Sequence, residues 1–262
     1  MTTTDQHIPV NAHQTTERMA AQSGRPDLTV VIPVKDEAGN IGDLLDEIAR
    51  ELAALRFEVV CVDDGSTDGT ADALRAARQT YGWLRVLRHR QSCGQSTATL
   101  TGVRAAQADW IVTIDGDGQN PPGEIAKLIA ARDRTDGAVA MVAGQREKRQ
   151  DSWFRRLSSR VANGVRQWLL KDGIADTGCS LKLFRRDVFL SLPYFDHMHR
   201  FLPALVRRHG GRIVTTPVAH RARRHGRSKY GIRNRLWPGL VDLVGMLWLQ
   251  RRTRLPSIDD TA

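Results

Sequence analysis

Five apolar, β-branched runs recur along the first half of the chain: 28-LTVVIPV-34, 57-FEVVCVDD-64, 84-LRVLRH-89, 109-DWIVTID-115 and 138-AVAMVAG-144. The segments near 40–55, 68–80, 95–107 and 122–134 read as helices. Continuously apolar strands alternating with helices predict an α/β fold with a mostly parallel sheet covered on both faces. Ligands of such sheets bind beyond the carboxyl ends of the strands. The acids gather at those ends: Asp36 and Glu37 after the first run, Asp63 and Asp64 at the second, Asp115 and Asp117 at the fourth. Chance would scatter them between both edges, so a site at this edge is the favoured reading.

The stretch 113-TIDGDGQNPP-122 sharpens the point. Asp and Gly form turns and Pro-Pro blocks a strand, so a plain turn accounts for it on its own. The other reading puts the oxygens of Asp115, Asp117 and Gln119 on one divalent ion, for which Mg²⁺ or Mn²⁺ with substrate phosphates is the natural partner. In 62-VDDGSTDGT-70, Gly65 permits a sharp turn, Asp68 reads as a helix cap and Asp64 as a ligand contact. No GxGxxG opens the first helix and no Walker lysine loop occurs, so the common dinucleotide and P-loop signatures are absent. Beyond 145 the pattern changes to a basic helix near 152–170, a loop and short strand in 176-DTGCSLKLFRR-186, a strand at 212–218, a basic loop 220-HRARRHGRSKYG-231 and an apolar helix over 236–252.

The net charge is +10, and between Arg200 and Arg254 fourteen Lys or Arg accompany a single acid, Asp242. Such a field seeks phosphates, whether on a nucleotide, a nucleic acid or an anionic membrane. Nucleic acid is the weakest of the three, because binding motifs are missing and the acid clusters repel a phosphate backbone unless a metal intervenes. Cys61, Cys93 and Cys179 are odd in number and far apart, which suits reduced cytoplasmic thiols. Residues 1–26 are polar without an apolar core and predict a disordered tail, not a signal peptide.

The segments 30-VVIPVKDEAGNI-41, 60-VCVDDGSTDGT-70, 94-GQSTATLTGVRAAQADWIVTIDGDGQNPP-122 and 220-HRARRHGRSKYGIRNR-235 together resemble glycosyltransferase family 2, and within it the dolichyl- or polyprenyl-phosphate sugar synthases. The resemblance implies a GT-A fold over 27–232, an amphipathic helix over 233–252 and a tail over 253–262. It also implies a nucleotide diphosphate sugar donor of the GDP-mannose or UDP-glucose type, Mg²⁺ or Mn²⁺, inversion at the anomeric carbon and a polyprenyl phosphate acceptor. Carried over, Pro33, Asp36 and Glu37 line the nucleotide pocket, with Asp36 where asparagine is common. Asp64 holds the nucleotide beside Gly94 and Gln95. Asp115 and Asp117 form the DxD, Gln119 joins the metal shell, and Gly116 and Gly118 replace the usual Ala and Leu, which predicts a looser loop. Arg223, Ser228 and Lys229 match the basic loop over the phosphates, with Ala222 where proline is frequent.

Transfer onto a hydroxyl needs a base, whereas a lipid phosphate is already ionised and needs cations to position it. Arg146, Arg149, Arg155, Arg156 and Arg160, near Ser158, Ser159 and Asn163, supply candidates, with Arg146, Arg149, Arg156 and Ser159 the lipid-phosphate set. Asp176 is then an orienting residue near the acceptor; if the acceptor is a saccharide or other hydroxyl, Asp176 is the base. The apolar run from Leu236 to Leu249 has fourteen residues, roughly 21 Å as a helix, too short for a span of about 30 Å. Trp237, Trp248 and 251-RRTR-254 suit an anionic membrane surface. The expectation is a cytoplasmic protein held peripherally at the inner face of the cytoplasmic membrane, with docking to an integral-membrane partner left open.

Overall fold

The structure, a computed structural model, describes residues 24–147, 173, 174, 176–223 and 233–252. Its centre is a seven-stranded sheet in the order β3-β2-β1-β4-β6-β5-β7. The strands are β1 Leu28–Val34, β2 Phe57–Asp63, β3 Leu84–Arg88, β4 Trp110–Thr113, β5 Val139–Arg146, β6 Lys182–Arg185 and β7 Arg212–Val218. β1, β2, β3 and β4 run parallel, as do β5 and β7, while β6 lies antiparallel between β4 and β5.

Alternation along β1 shows why both faces are covered. Leu28, Val30, Ile32 and Val34 point into one core, and Val31 into the other. The first core is closed by α1 (Ala38–Glu51), α2 (Thr70–Thr80) and α4 (Ile125–Asp133). α1 contributes Ile41, Leu44, Leu45 and Ile48, the i, i+3, i+4, i+7 stripe of an amphipathic helix, each fully buried side chain adding roughly 1.5–3 kcal/mol. The second face carries α3 (Gln95–Ala105), the short α5 (Arg186–Ser191) and α6 (Leu202–Arg208), and α7 (Arg233–Arg252).

The five early strands and the first four helices fall close to their predicted places. β4 ends at Thr113, two residues before Asp115, and β5 runs on to Arg146. α5 and α6 were not anticipated, because neither is long enough for a helical period to stand out. β6 begins opposite the end of β4 and near that of β5, Lys182 pairing with Thr113 and Ala143. The reversed strand therefore delivers the 176–182 loop to the same edge as the acids. Register puts Pro33 beyond the last β1–β4 pair, Val31 with Thr113, so its missing N–H falls where β4 has already turned away.

Candidate active site

The carboxyl-end edge brings together Asp36, Glu37, Asp64, Asp115, Asp117, Arg146, Asp176 and Arg223. Asp36 follows β1 with φ at +51°, a left-handed conformation that Asn and Asp tolerate best among residues with a side chain. Its Oδ1 accepts from Thr67 N at 2.7 Å, and its own N–H donates to Ser66 Oγ. Asp36 thus ties the β1 turn to the β2 turn.

Asp64 is a hub. Oδ1 accepts from Cys93 N (2.7 Å) and lies 2.8 Å from His89 Nδ1; Oδ2 accepts from Ser92 Oγ (2.7 Å) and Gly94 N (2.9 Å). Burial pushes its pKa up, but the Cys93 amide, His89, Ser92 and the Gly94 amide outweigh this and leave it lowered. The carboxylate holds the 89–94 loop, and Gly94 reaches it through φ +89°. Asp64, His89 and Cys93 each place a ligand atom within 4.8 Å of the others, but the hydrogen bonds already claim both Asp64 oxygens.

Asp115 lies at the floor, accepting from Gln95 Nε2 at 2.8 Å. Burial, then the Asp117 charge, push its carboxyl up to about 6 against the opposing pull of Ser180, Lys182 and Arg146. Asp117 is buried; Oδ1 accepts from Gln119 N at 3.1 Å and Oδ2 from Arg223 at 2.8 Å. Arg223 also meets Glu37 Oε1 at 3.3 Å. The loop is tighter than the sequence suggested. A Cβ on Gly116 would stand 2.6 Å from Val34 Cγ1, and Gly118 has φ +69°, so the two glycines let the loop seat against β1 and do not loosen it.

Two positions that the sequence reading passed over matter here. Arg221 donates from Nε to the Gly118 carbonyl and from both terminal nitrogens to Glu47 at 3.0 and 2.9 Å, while its backbone N–H reaches the Gln119 carbonyl. It clamps the DxD loop to α1. Lys182 is buried on β6 and donates to the Thr177 and Cys179 carbonyls. Burial lowers its pKa, and Cys179, Asp115 and Asp176 act in the other direction. Only a lysine inside an otherwise apolar strand, 181-LKLF-184, hinted at it.

Asp176 is held by Arg146 through two parallel bonds, Nε to Oδ2 at 2.6 Å and a terminal nitrogen to Oδ1 at 2.8 Å, in a largely buried pair. The structure thus brings Arg146 to the edge beside Asp176. Arg149, Arg155, Arg156, Ser158, Ser159, Arg160 and Asn163, the 152–170 helix, Ser228 and Lys229 lie outside the described residues.

The edge suits a divalent ion. Burial first, and then the charge of Asp117, raises the Asp115 carboxyl, so a cation between the two carboxylates would relieve both. The donors that Asp115 and Asp117 supply are carboxylate oxygens, which Mg²⁺ and Mn²⁺ prefer.

Comparison with known proteins bears on the family and the fold. The model of "Glycosyl transferase family 2" matches residues 29–192. An undecaprenyl-phosphate 4-deoxy-4-formamido-L-arabinose transferase from Edwardsiella ictaluri is 37% identical over 209 residues, 78% of this chain and 63% of the relative. A dodecaprenyl-phosphate galacturonate synthase from Rhizobium johnstonii is 33% identical over 240 residues, 88% of this chain and 69% of the relative. The chain thus spans about two thirds of the length of these curated relatives. Among solved structures, glucosyl-3-phosphoglycerate synthase from Mycobacterium tuberculosis with Mn²⁺, UDP and glucosyl-3-phosphoglycerate aligns at TM-score 0.62 and 19% identity, over 94% of this chain and 86% of that one. The fold is the expected GT-A arrangement.

Proposed function

The chain belongs to glycosyltransferase family 2, and we propose that it transfers a hexose from a nucleotide diphosphate sugar of the GDP-mannose or UDP-glucose type to polyprenyl phosphate, with inversion. The names of its relatives, which pair a polyprenyl phosphate with a sugar, support the acceptor class. Those names carry formamidoarabinose and galacturonate, so related sugars belong in any donor panel.

In this reading Pro33, Asp36, Glu37, Asp64, Gly94, Gln95 and Gly116 line the nucleotide side. Asp115, Asp117 and Gln119 hold Mg²⁺ or Mn²⁺, which when bound neutralises charge on the departing diphosphate. Arg223, with Ser228 and Lys229, covers the phosphates. Arg146, with Arg149, Arg156 and Ser159, positions the acceptor. An acceptor phosphate oxygen bonds to the anomeric carbon as that carbon's bond to the diphosphate oxygen breaks, and no proton has to be removed.

The observation that carries the phosphate acceptor is the Arg146–Asp176 pair. Both oxygens of Asp176 are committed to a guanidinium, so this carboxylate is an anchor for a cation and is not poised as a base. A second reading, transfer to a saccharide or other hydroxyl, assigns Asp176 that role. Among the described residues no helix is long and apolar enough to cross a membrane. We place the protein at the inner face of the cytoplasmic membrane, held peripherally through α7 or by an integral-membrane partner.

The test incubates purified protein with undecaprenyl or dolichyl phosphate, Mn²⁺ or Mg²⁺ and radiolabelled nucleotide sugars, and counts the organic phase with and without EDTA. EDTA-sensitive label in that phase is expected, and the active donor identifies the sugar. No label from any donor, with donor binding intact by calorimetry, moves the reading to a water-soluble acceptor.

A further inference from the structure

Arg221 and Arg223 stand two residues apart yet do different things. Arg221 points away from the cleft and fixes its segment to Gly118, Gln119 and Glu47. Arg223 reaches into the cleft, 2.8 Å from Asp117 Oδ2 and 3.3 Å from Glu37 Oε1, with its side chain 23% exposed and that of Asp117 11%. The second carboxylate of the DxD is therefore already neutralised by a cation from the protein itself. A guanidinium on Asp117 Oδ2 weakens that carboxylate's hold on a divalent ion, because the two positive charges repel. With Arg221 as a fixed pivot, Arg223 can leave Asp117 while its segment stays docked.

We propose that Arg223 is a built-in substitute for the metal, occupying Asp117 until a nucleotide diphosphate arrives with its ion. The incoming diphosphate gives Arg223 a new anionic partner at the moment that Asp117 passes to the ion, so metal and nucleotide load together. Metal alone meets a carboxylate whose charge is already partly neutralised. The inference rests on the donor and metal reading above.

Mn²⁺ binding, followed by loss of the free-ion EPR signal, tests it with no turnover required. Wild-type protein is expected to take up Mn²⁺ weakly alone and far more tightly with UDP or GDP. Arg223→Gln should bind Mn²⁺ alone about five- to tenfold more tightly, the scale of one partly buried ion pair, and show a smaller gain on adding the nucleotide. Glu37→Gln, which takes a competing carboxylate away from Arg223 and leaves Asp117 intact, should bind Mn²⁺ alone no more tightly than wild type. The proposal is overturned if Arg223→Gln binds Mn²⁺ alone no better than wild type while wild type still responds to nucleotide. If wild type binds no Mn²⁺ even with UDP and GDP, the donor and metal reading fails, and the proposal with it.

Discussion

At the residue scale, Gly116 shows how a site motif is set by what packs behind it. Its missing Cβ is the space in which Val34, buried on β1, places a methyl group. Gly116→Ala should therefore lower stability by about 1–3 kcal/mol through overpacking, read as a fall in melting temperature. The cause can be isolated, because Val34→Ala removes the methyl that an alanine at 116 would strike. The double variant should be more stable than the sum of the two single losses predicts, with a coupling of roughly 0.5–3 kcal/mol. Strict additivity would show that the close approach is not the reason for the glycine. The sequence displayed the unusual Gly at 116 but not its neighbour, since Val34 lies in a different strand.

At the element scale, α7 packs on the second core and still carries exposed apolar side chains. Met246 is buried, and Leu243, Leu247 and Leu249 pack beside it against the second core. Asp242, the one acid in a basic region, lies 3.0 Å from His197 Nδ1 and so helps set which face turns inward. Val241, Val244 and Trp248, 56%, 66% and 60% exposed, form an i, i+3, i+7 stripe on the outside, and Arg251 and Arg252 end the helix. A helix that is packed and still shows an apolar stripe fits a protein resting on a bilayer. Replacing Val241, Val244 and Trp248 together by serine should leave the melting temperature within a few degrees of wild type. It should weaken co-sedimentation with phosphatidylglycerol vesicles about tenfold or more, from lost Trp and Val burial. Unchanged sedimentation would exclude the stripe as the contact.

At the scale of the whole molecule, what the sequence disclosed and what it hid divide by distance along the chain. The parallel half was legible because a strand buried on both faces must be apolar throughout, a local signal, and because parallel strands send their following acids to one edge. Hidden were the pairings that cross the molecule. Arg221 meets Glu47 across 174 positions, Arg223 meets Asp117 across 106 and Arg146 meets Asp176 across 30, and no periodicity announces such partners. The last of these bears on the proposed acceptor. If Asp176 is only the anchor of Arg146, Asp176→Asn should reduce kcat toward polyprenyl phosphate by less than about tenfold, whereas a general base should cost roughly 10²–10⁴. The substitution also strands a largely buried guanidinium, a loss of about 3–5 kcal/mol in stability, so the variant must be assayed well below its own melting temperature. Arg146→Gln with Asp176→Asn removes both charges and that artefact. If Arg146 grips the acceptor, the double variant should recover stability but raise the KM for polyprenyl phosphate with the donor KM unchanged. A folded Asp176→Asn protein that binds both substrates and turns over neither would instead identify Asp176 as the base and the acceptor as a hydroxyl.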